Sequence, residues 1–307
     1  MIPKFKNLIQ LLDYFKDQET CIKYLEHQRW GGCKPSCPFC GWQKVYKTNR
    51  GYKCANSDCY KKFSATVGTM YENTKIPLRI WFGAVYLATA HKKGISSLQL
   101  KRDLGISQKT AWFVLHRIRE MVKVKNPKIM TTTVELDETY VGGKNKNRHA
   151  SKKVENSQGR SAKDKTPVFG ILERDGNLIA MKVVNTTGDV LKAIISKNVA
   201  VNTKIMTDEH RAYYGLSEHY IHSVVNHSAK NYVNDDCHTN TLEGFWSLFK
   251  RGLYGIYHSV SAKHLDRYTQ EFVYRYNTRL ISDPERFELS VKNCVGRLKY
   301  KDLIAKV

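Results

Sequence analysis

The chain has 307 residues, 41% of them hydrophobic, which is enough for one large domain with one or two small ones and excludes a disordered chain. Fifty-one Lys and Arg against 28 Asp and Glu give a net charge of +23 spread along its length, so a polyanionic partner is expected, nucleic acid ahead of a membrane. No apolar run approaches the ~18 residues of a membrane span, and charges interrupt the N-terminal "MIPKFKNLIQLLDYFKDQE" where a signal peptide needs an unbroken apolar stretch; no membrane association is expected, and a cytoplasmic, nucleoid-associated protein is.

Residues 1–30 form an N-terminal helical segment, with Leu8, Leu11, Leu12, Phe15, Ile22 and Leu25 at helical spacing. The turn-rich "RWGGCKPSCPFCGW" follows. Eight cysteines in an intracellular chain point to metal before disulfides. Cys37 and Cys40 make one knuckle, and Cys54 and Cys59, with a longer gap, a second. Four thiolates so paired hold one tetrahedral Zn²⁺ with short strands between them, a zinc ribbon over residues 31–70. Four protein ligands leave no open position, so the site is structural. Cys33 lies near enough to substitute, but Pro35 and the better-formed Cys37–Cys40 turn argue against it. Cys21, Cys237 and Cys294 read as buried apolar residues.

From Pro77 the pattern turns helical as far as Gly94. A short helix around Ser97–Leu104, a break at Gly105 and Ser107 as the N-cap of a further helix give a helix-turn-helix pattern within residues 75–125. Its second helix would offer Ser107, Gln108, Lys109 and Arg117 to DNA, with Ala111, Val114, Leu115 and Ile118 facing inward. Such helix pairs also occur in bundles that bind nothing, and the charge favours DNA.

After "KNPKIM" the pattern changes to strands. In "TTTVELDETYVGG" alternation puts Val134, Leu136 and Tyr140 on one face and Glu135, Asp137 and Thr139 on the other. A mid-strand acid on a sheet face is costly unless solvated, paired or bound to a cation. Residues 144–165 read as a basic loop. "TPVFGILERDGNLIAMKVV" is a hairpin turning at Asp175-Gly176, "TTGDVLKAIISKNV" a helix, "NTKIMTDEHRAYYGL" a strand ending at Asp208, "IHSVVNH" a strand, and "HTNTLEGFWSLFKRG" an amphipathic helix carrying Glu243. This order predicts an α/β sheet covered by helices over residues 130–282, with residues 283–307 as a C-terminal tail. Acids on separate elements, Asp137, Asp208 and Glu243, could converge on two divalent ions for work on a phosphodiester. Each also has a bland reading: Asp137 competes with Glu135 and Glu138, Asp208 could cap a turn, and Glu243 could sit on a surface helix. His210 and His238 flank two of the acids, as structural residues or as groups positioning phosphate or water.

The segments "RWGGCKPSCPFC", "CYKKFSATVGTMYENTKIPLRIW", "ELDETYVGGK", "TDEHRAYYGL", "HTNTLEGFWSLFKRGLYGIYH" and "HLDRYTQEFVYRYNTR" resemble, in family order, the bacterial insertion-sequence DDE transposases with an N-terminal zinc ribbon and a ribonuclease H-like catalytic domain. The resemblance implies binding of terminal inverted repeats, metal-dependent cleavage at the element ends, and strand transfer to a target, with a homo-oligomer holding two DNA ends. It implies that Asp137 and Asp208 bridge Mg²⁺ (or Mn²⁺), that Glu243 completes the set, and that Lys250 is the basic residue that follows, with Arg251 beside it toward DNA. The competing expectation is a catalytically inactive zinc-ribbon and helix-turn-helix DNA-binding regulator derived from such a transposase.

Overall fold

The computed structural model describes residues 5–32, 34–142, 149–155, 164–225 and 237–305. Cys33 and most of the basic loop at 144–165 lie outside them. The chain divides into two compact units, Met1–Val122 with Leu280–Val307, and Lys123–Arg279.

The first unit opens with α1 (Leu8–Tyr14), whose N-cap Asn7 accepts from the Gln10 N–H, and α2 (Gln18–Trp30), capped by Asp17 and stopped by Gly31 in the left-handed conformation. An antiparallel three-stranded sheet follows, β1 (Val45–Thr48), β2 (Gly51–Cys54) and β3 (Lys62–Phe63). Helix α3 (Leu78–Ala90) is apolar on nearly every side and buries ten of its residues, as a central core helix must. Helices α4 (Ser97–Leu104) and α5 (Gln108–Met121) are joined through Gly105 at φ 64° and the N-cap Ser107, whose side chain accepts from Thr110 N. The bounds of α4, the break at Gly105 and the cap at Ser107 are those expected from the sequence.

The second unit is built on a mixed five-stranded sheet. Its strands are β4 (Val134–Val141), β5 (Thr166–Glu173), β6 (Leu178–Lys182), β7 (Lys204–Thr207) and β8 (Ile221–Val224), in the order β6-β5-β4-β7-β8. Strands β4, β5 and β6 pair antiparallel, and β4–β7 and β7–β8 pair parallel. Renumbered within the unit this is 3-2-1-4-5, the mixed, helix-flanked sheet that the ribonuclease H-like resemblance leads one to expect. Asp175 at φ 56° makes the β5–β6 turn. Helix α6 (Gly188–Asn198) packs Leu191 and Ile195 on Val134, Leu136 and Ile205. On the opposite face α7 (Asn240–Gly252) and α8 (Leu265–Asn277) pack Leu242, Phe245, Trp246, Phe249 and Phe272 on Val168, Leu172 and Ala180. The aromatic stripe of α7 is therefore core. At the outer edge of β6, Asn277 brackets Leu178 and Gln270 donates to the Ala180 carbonyl, closing the sheet to further strands.

The last segment is no tail. Helices α9 (Asp283–Lys292) and α10 (Tyr300–Ile304) belong to the first unit, and Phe287 of α9 sits among Phe5, Phe15 and Phe82 with ring centroids 5.5, 5.8 and 5.6 Å away. Such edge-on aromatic packing is core chemistry, and it joins the two ends of the chain in one hydrophobic centre. Among the described residues no helix is long and apolar enough to cross a membrane.

Candidate functional site

The four knuckle cysteines are the one group among the described residues whose ligand atoms all lie within 4.8 Å of one another. Cys37 Sγ is 3.8 Å from Cys59 Sγ and Cys40 Sγ is 3.6 Å from Cys54 Sγ. Four sulfurs each about 2.3 Å from a central ion stand about 3.8 Å apart in a tetrahedron, so the cluster fits zinc without rearrangement. Burial alone would raise the Cys37 thiol, but the backbone N–H groups of Phe39 and Cys40 aimed at its sulfur outweigh this and bring it down to about 7.

In the second unit, alternation along β4 decides the role of each acid. Glu138 turns to the α6 face, where the buried Tyr213 hydroxyl donates to it. Glu135 and Asp137 turn to the α7 face. Asp137 is half-buried, accepting from the Glu138 N–H at 2.8 Å and from Trp246 Nε1–H at 3.0 Å. Continuing the β4–β7 register of Val134 with Ile205 and Glu135 with Met206 by two residues brings Asp208 level with Asp137 on the neighbouring strand. Asp208 is 4% exposed and accepts from the His210 N–H at 3.0 Å. Glu243 lies in the first turn of α7, exposed, with Thr239 Oγ1 donating to it at 3.1 Å. Burial, then Glu138, Asp208 and Glu243 as neighbouring negative charges, push the Asp137 carboxyl up to about 8, against the donation from the Glu138 N–H. The three acids are thus within electrostatic reach of one another, though not closed to the spacing of the cysteine cluster.

Glu135 takes a different role, and its place in an alternating strand gives no hint of it. It is 0% exposed. Its carboxylate accepts from Arg174 Nε, Thr241 Oγ1 and the Leu242 N–H, each at 2.9 Å, which satisfies one of the orphan donors at the start of α7. Arg174 also donates to the His238 carbonyl and ring Nδ1. Glu135 therefore fastens the end of α7 that carries Glu243 to the strand that carries Asp137, and His238 is part of that fastening. His210 caps the following 3₁₀ turn through Nδ1, which accepts from the Ala212 N–H.

Gly170 stands opposite Asp137 across β4–β5. A Cβ there would meet the Trp246 ring carbons at 2.6 and 3.0 Å, so the indole reaches Asp137 only because this residue is glycine. Gly170→Ala is expected to destabilise the protein by about 1–3 kcal/mol and to displace the indole, read as a lowered melting temperature with a shift in tryptophan emission.

Of the residues expected to face DNA, Ser107, Gln108 and Lys109 are exposed at the start of α5. Arg117 corrects that expectation. It is 4% exposed, and its guanidinium donates to the carbonyls of Leu298, Met70 and Glu72 at 3.0, 2.7 and 3.0 Å, under the ring of Phe113. Three residues after the inward-facing Val114, it lies on the buried side of the helix and ties together loops of its own unit. Lys250 is half-buried in the last turn of α7, and the exposed Arg251 donates to Ser247 Oγ at 2.7 Å.

An acid-bearing central strand pair, covered by a helix that supplies another acid, defines the second unit as an α/β domain with carboxylates gathered on one face. Residues 129–277 match the ISXO2-like transposase domain. An uncharacterized protein in transposable element ISH50 of Halobacterium salinarum is 29% identical over 275 residues, covering 85% of this chain and 91% of that protein. That likeness extends well beyond the matched domain, into the part of the chain that carries the cysteine cluster.

Proposed function

We propose that this protein is the transposase of an insertion sequence, binding the terminal inverted repeats of its element, cleaving DNA at the element ends and joining them to a target. The observation that carries this reading is the placement of Asp137 and Asp208 on adjacent strands under the helix whose first turn carries Glu243, within the residues that match a transposase domain. An all-oxygen donor set suits a hard divalent cation, Mg²⁺ or Mn²⁺, and such a charge offsets both causes that raise Asp137, its burial first and the neighbouring negative charges second. Bound there, a pair of these ions supplies Lewis-acid polarisation of the scissile phosphate and activation of the attacking hydroxyl group.

The chain's own groups do the rest. Asp137 and Asp208 would hold the ions from adjacent strands and Glu243 would complete the set, while Trp246 fixes the rotamer of Asp137 through its N–H. Lys250 follows Glu243 by seven residues, nearly in line and about 10 Å along the helix. It and Arg251 neutralise phosphates beside the scissile bond. Helices α4 and α5 act as the helix-turn-helix, with Ser107, Gln108 and Lys109 toward duplex DNA. Two element ends have to be held together, so the working species is a homo-oligomer.

The test is an assay with labelled element ends and a plasmid target in Mg²⁺ or Mn²⁺, comparing the parent with Asp137→Ala, Asp208→Ala and Glu243→Ala. Joined product in the parent and in none of the variants is expected, and joining that survives in all three rejects the reading. Zinc holds the ribbon, so Cys54→Ser is expected to lower the metal content from about one zinc per chain and to loosen the β1–β3 sheet. Elemental analysis with proteolysis of residues 34–70 reads both.

A further inference from the structure

The two knuckles of the cysteine cluster differ in length, but the chain leaves the second cysteine of each through the same kind of turn, with a left-handed residue next. After Cys40 the chain turns through Gly41 at φ 76°, whose N–H reaches the Cys37 carbonyl at 2.9 Å. After Cys59 it turns through Tyr60 at φ 46°, whose N–H reaches the Asn56 carbonyl at 3.0 Å. Glycine is the natural occupant of a left-handed position, and a bulky side chain adopts it only at a cost. The second knuckle nevertheless holds an aromatic ring there, 53% exposed.

That ring has company. The register of the small sheet pairs Tyr46 with Lys53 and Lys53 with Lys62. These three therefore share one row across β1, β2 and β3, while Tyr52 and Phe63 lie on the opposite, cysteine-side face. Lys53 Nζ lies 4.9 Å from the Tyr60 ring centre and Lys61 Nζ 4.9 Å from that of Phe39. Phe39, Trp42, Tyr46 and Tyr60 are 49%, 50%, 52% and 53% exposed, and Trp42 and Lys44 border a surface hollow of about 470 Å³. Residues 37–63 hold six Lys and Arg (Lys44, Lys47, Arg50, Lys53, Lys61, Lys62) against the single acid Asp58, far above the ratio of 51 to 28 in the whole chain. A protein partner of mixed charge would not call for so one-sided a rim. Exposed rings interleaved with lysines on a sheet face suit unpaired bases stacked on the rings with their phosphates on the ammonium groups.

We infer that the outer face of the ribbon, Tyr46, Tyr60, Lys53 and Lys62 with Phe39 and Trp42 at its margin, binds single-stranded DNA, so that the cysteine cluster carries a nucleic-acid surface and is not a structural clip alone. The inference rests on the reading that this chain acts on DNA.

The experiment uses the full-length, zinc-loaded protein and fluorescence anisotropy with a labelled 20-nucleotide single strand and with the duplex of the same sequence. Tyr60→Gly places glycine where the first knuckle already has it, so it leaves folding and zinc content intact while removing the ring; Tyr46→Ala trims an exposed side chain. The double variant is expected to bind the single strand at least about tenfold more weakly, with duplex affinity within about twofold of the parent. Single-strand affinity unchanged in the double variant overturns the inference, as does an effect confined to self-association. A parent that binds the duplex and not the single strand overturns this inference alone, and a parent that binds neither overturns the transposase reading with it.

Discussion

Asp208→Asn is expected to reduce cleavage and joining by roughly a thousandfold or more while leaving the melting temperature unchanged or higher. The loss follows from charge. A divalent ion acting as a Lewis acid is worth several kcal/mol of transition-state stabilisation, and each ~1.4 kcal/mol is a factor of ten in rate. The stability follows from geometry. Asp208 accepts the backbone N–H of His210, and an asparagine oxygen keeps that bond. Asp208 is also one of the charges that push Asp137 up to about 8, so removing it relieves repulsion in the metal-free protein. An inactive protein that melts no lower than the parent marks a residue kept for chemistry at the expense of stability. The pair of measurements is single-turnover cleavage of a labelled element end and thermal unfolding without divalent ions. A variant that unfolds early would place Asp208 with the scaffold, and one that cuts at the parental rate would remove it from the site. Asp137→Asn is less clean, because both oxygens of Asp137 already accept N–H groups, from Glu138 and Trp246, and an amide can accept on one side only.

Much of this is legible in the sequence. Alternation in "VELDETY", the Asp175-Gly176 turn and the caps around Gly105 and Ser107 are local signals, and local signals set strand faces and helix ends. The knuckle spacing likewise placed all four cysteines. What escaped was set by distant partners. Arg117 reads as a basic residue on a DNA-facing helix, and its burial is decided by carbonyls 45, 47 and 181 residues away. The segment after residue 282, a tail by its composition, begins with Ser282, Pro284 and Glu285, which spell a helix start, and the capping box is present. That signal was available. The strain at Tyr60 was not, because a φ angle cannot be read from an isolated tyrosine.

Glu135 is the clearest case of a role hidden by distance, since its partners Arg174, Thr241 and Leu242 lie 39, 106 and 107 residues away. In the sequence it competes with Asp137 for the metal, two residues off on the same face. In the structure both its oxygens are engaged and no part of it is exposed, so it is a positioning residue for the helix that carries Glu243. Glu135→Ala removes three hydrogen bonds, takes away the buried carboxylate beside the Arg174 guanidinium and leaves a donor of α7 unsatisfied. Breaking a buried pair on one side costs about 3–5 kcal/mol. Arg174 keeps some contact with water, its side chain being 19% exposed, so the lower end, about 3 kcal/mol, is expected. For a unit of this size that lowers the melting temperature by roughly 6–12 °C. Activity well below the melting point is expected to fall by about a hundredfold, the order that a 1 Å misplacement of a catalytic group costs. The combination is opposite in kind to Asp208→Asn, which loses more activity and no stability. Glu135→Gln separates positioning from charge, because its amide oxygen can still accept from Leu242 N. It is expected to recover most of the activity and part of the stability. If Glu135→Gln is instead as inactive as Asp208→Asn with an unchanged melting temperature, Glu135 belongs among the metal-holding carboxylates and the arrangement of α7 has to be reassigned.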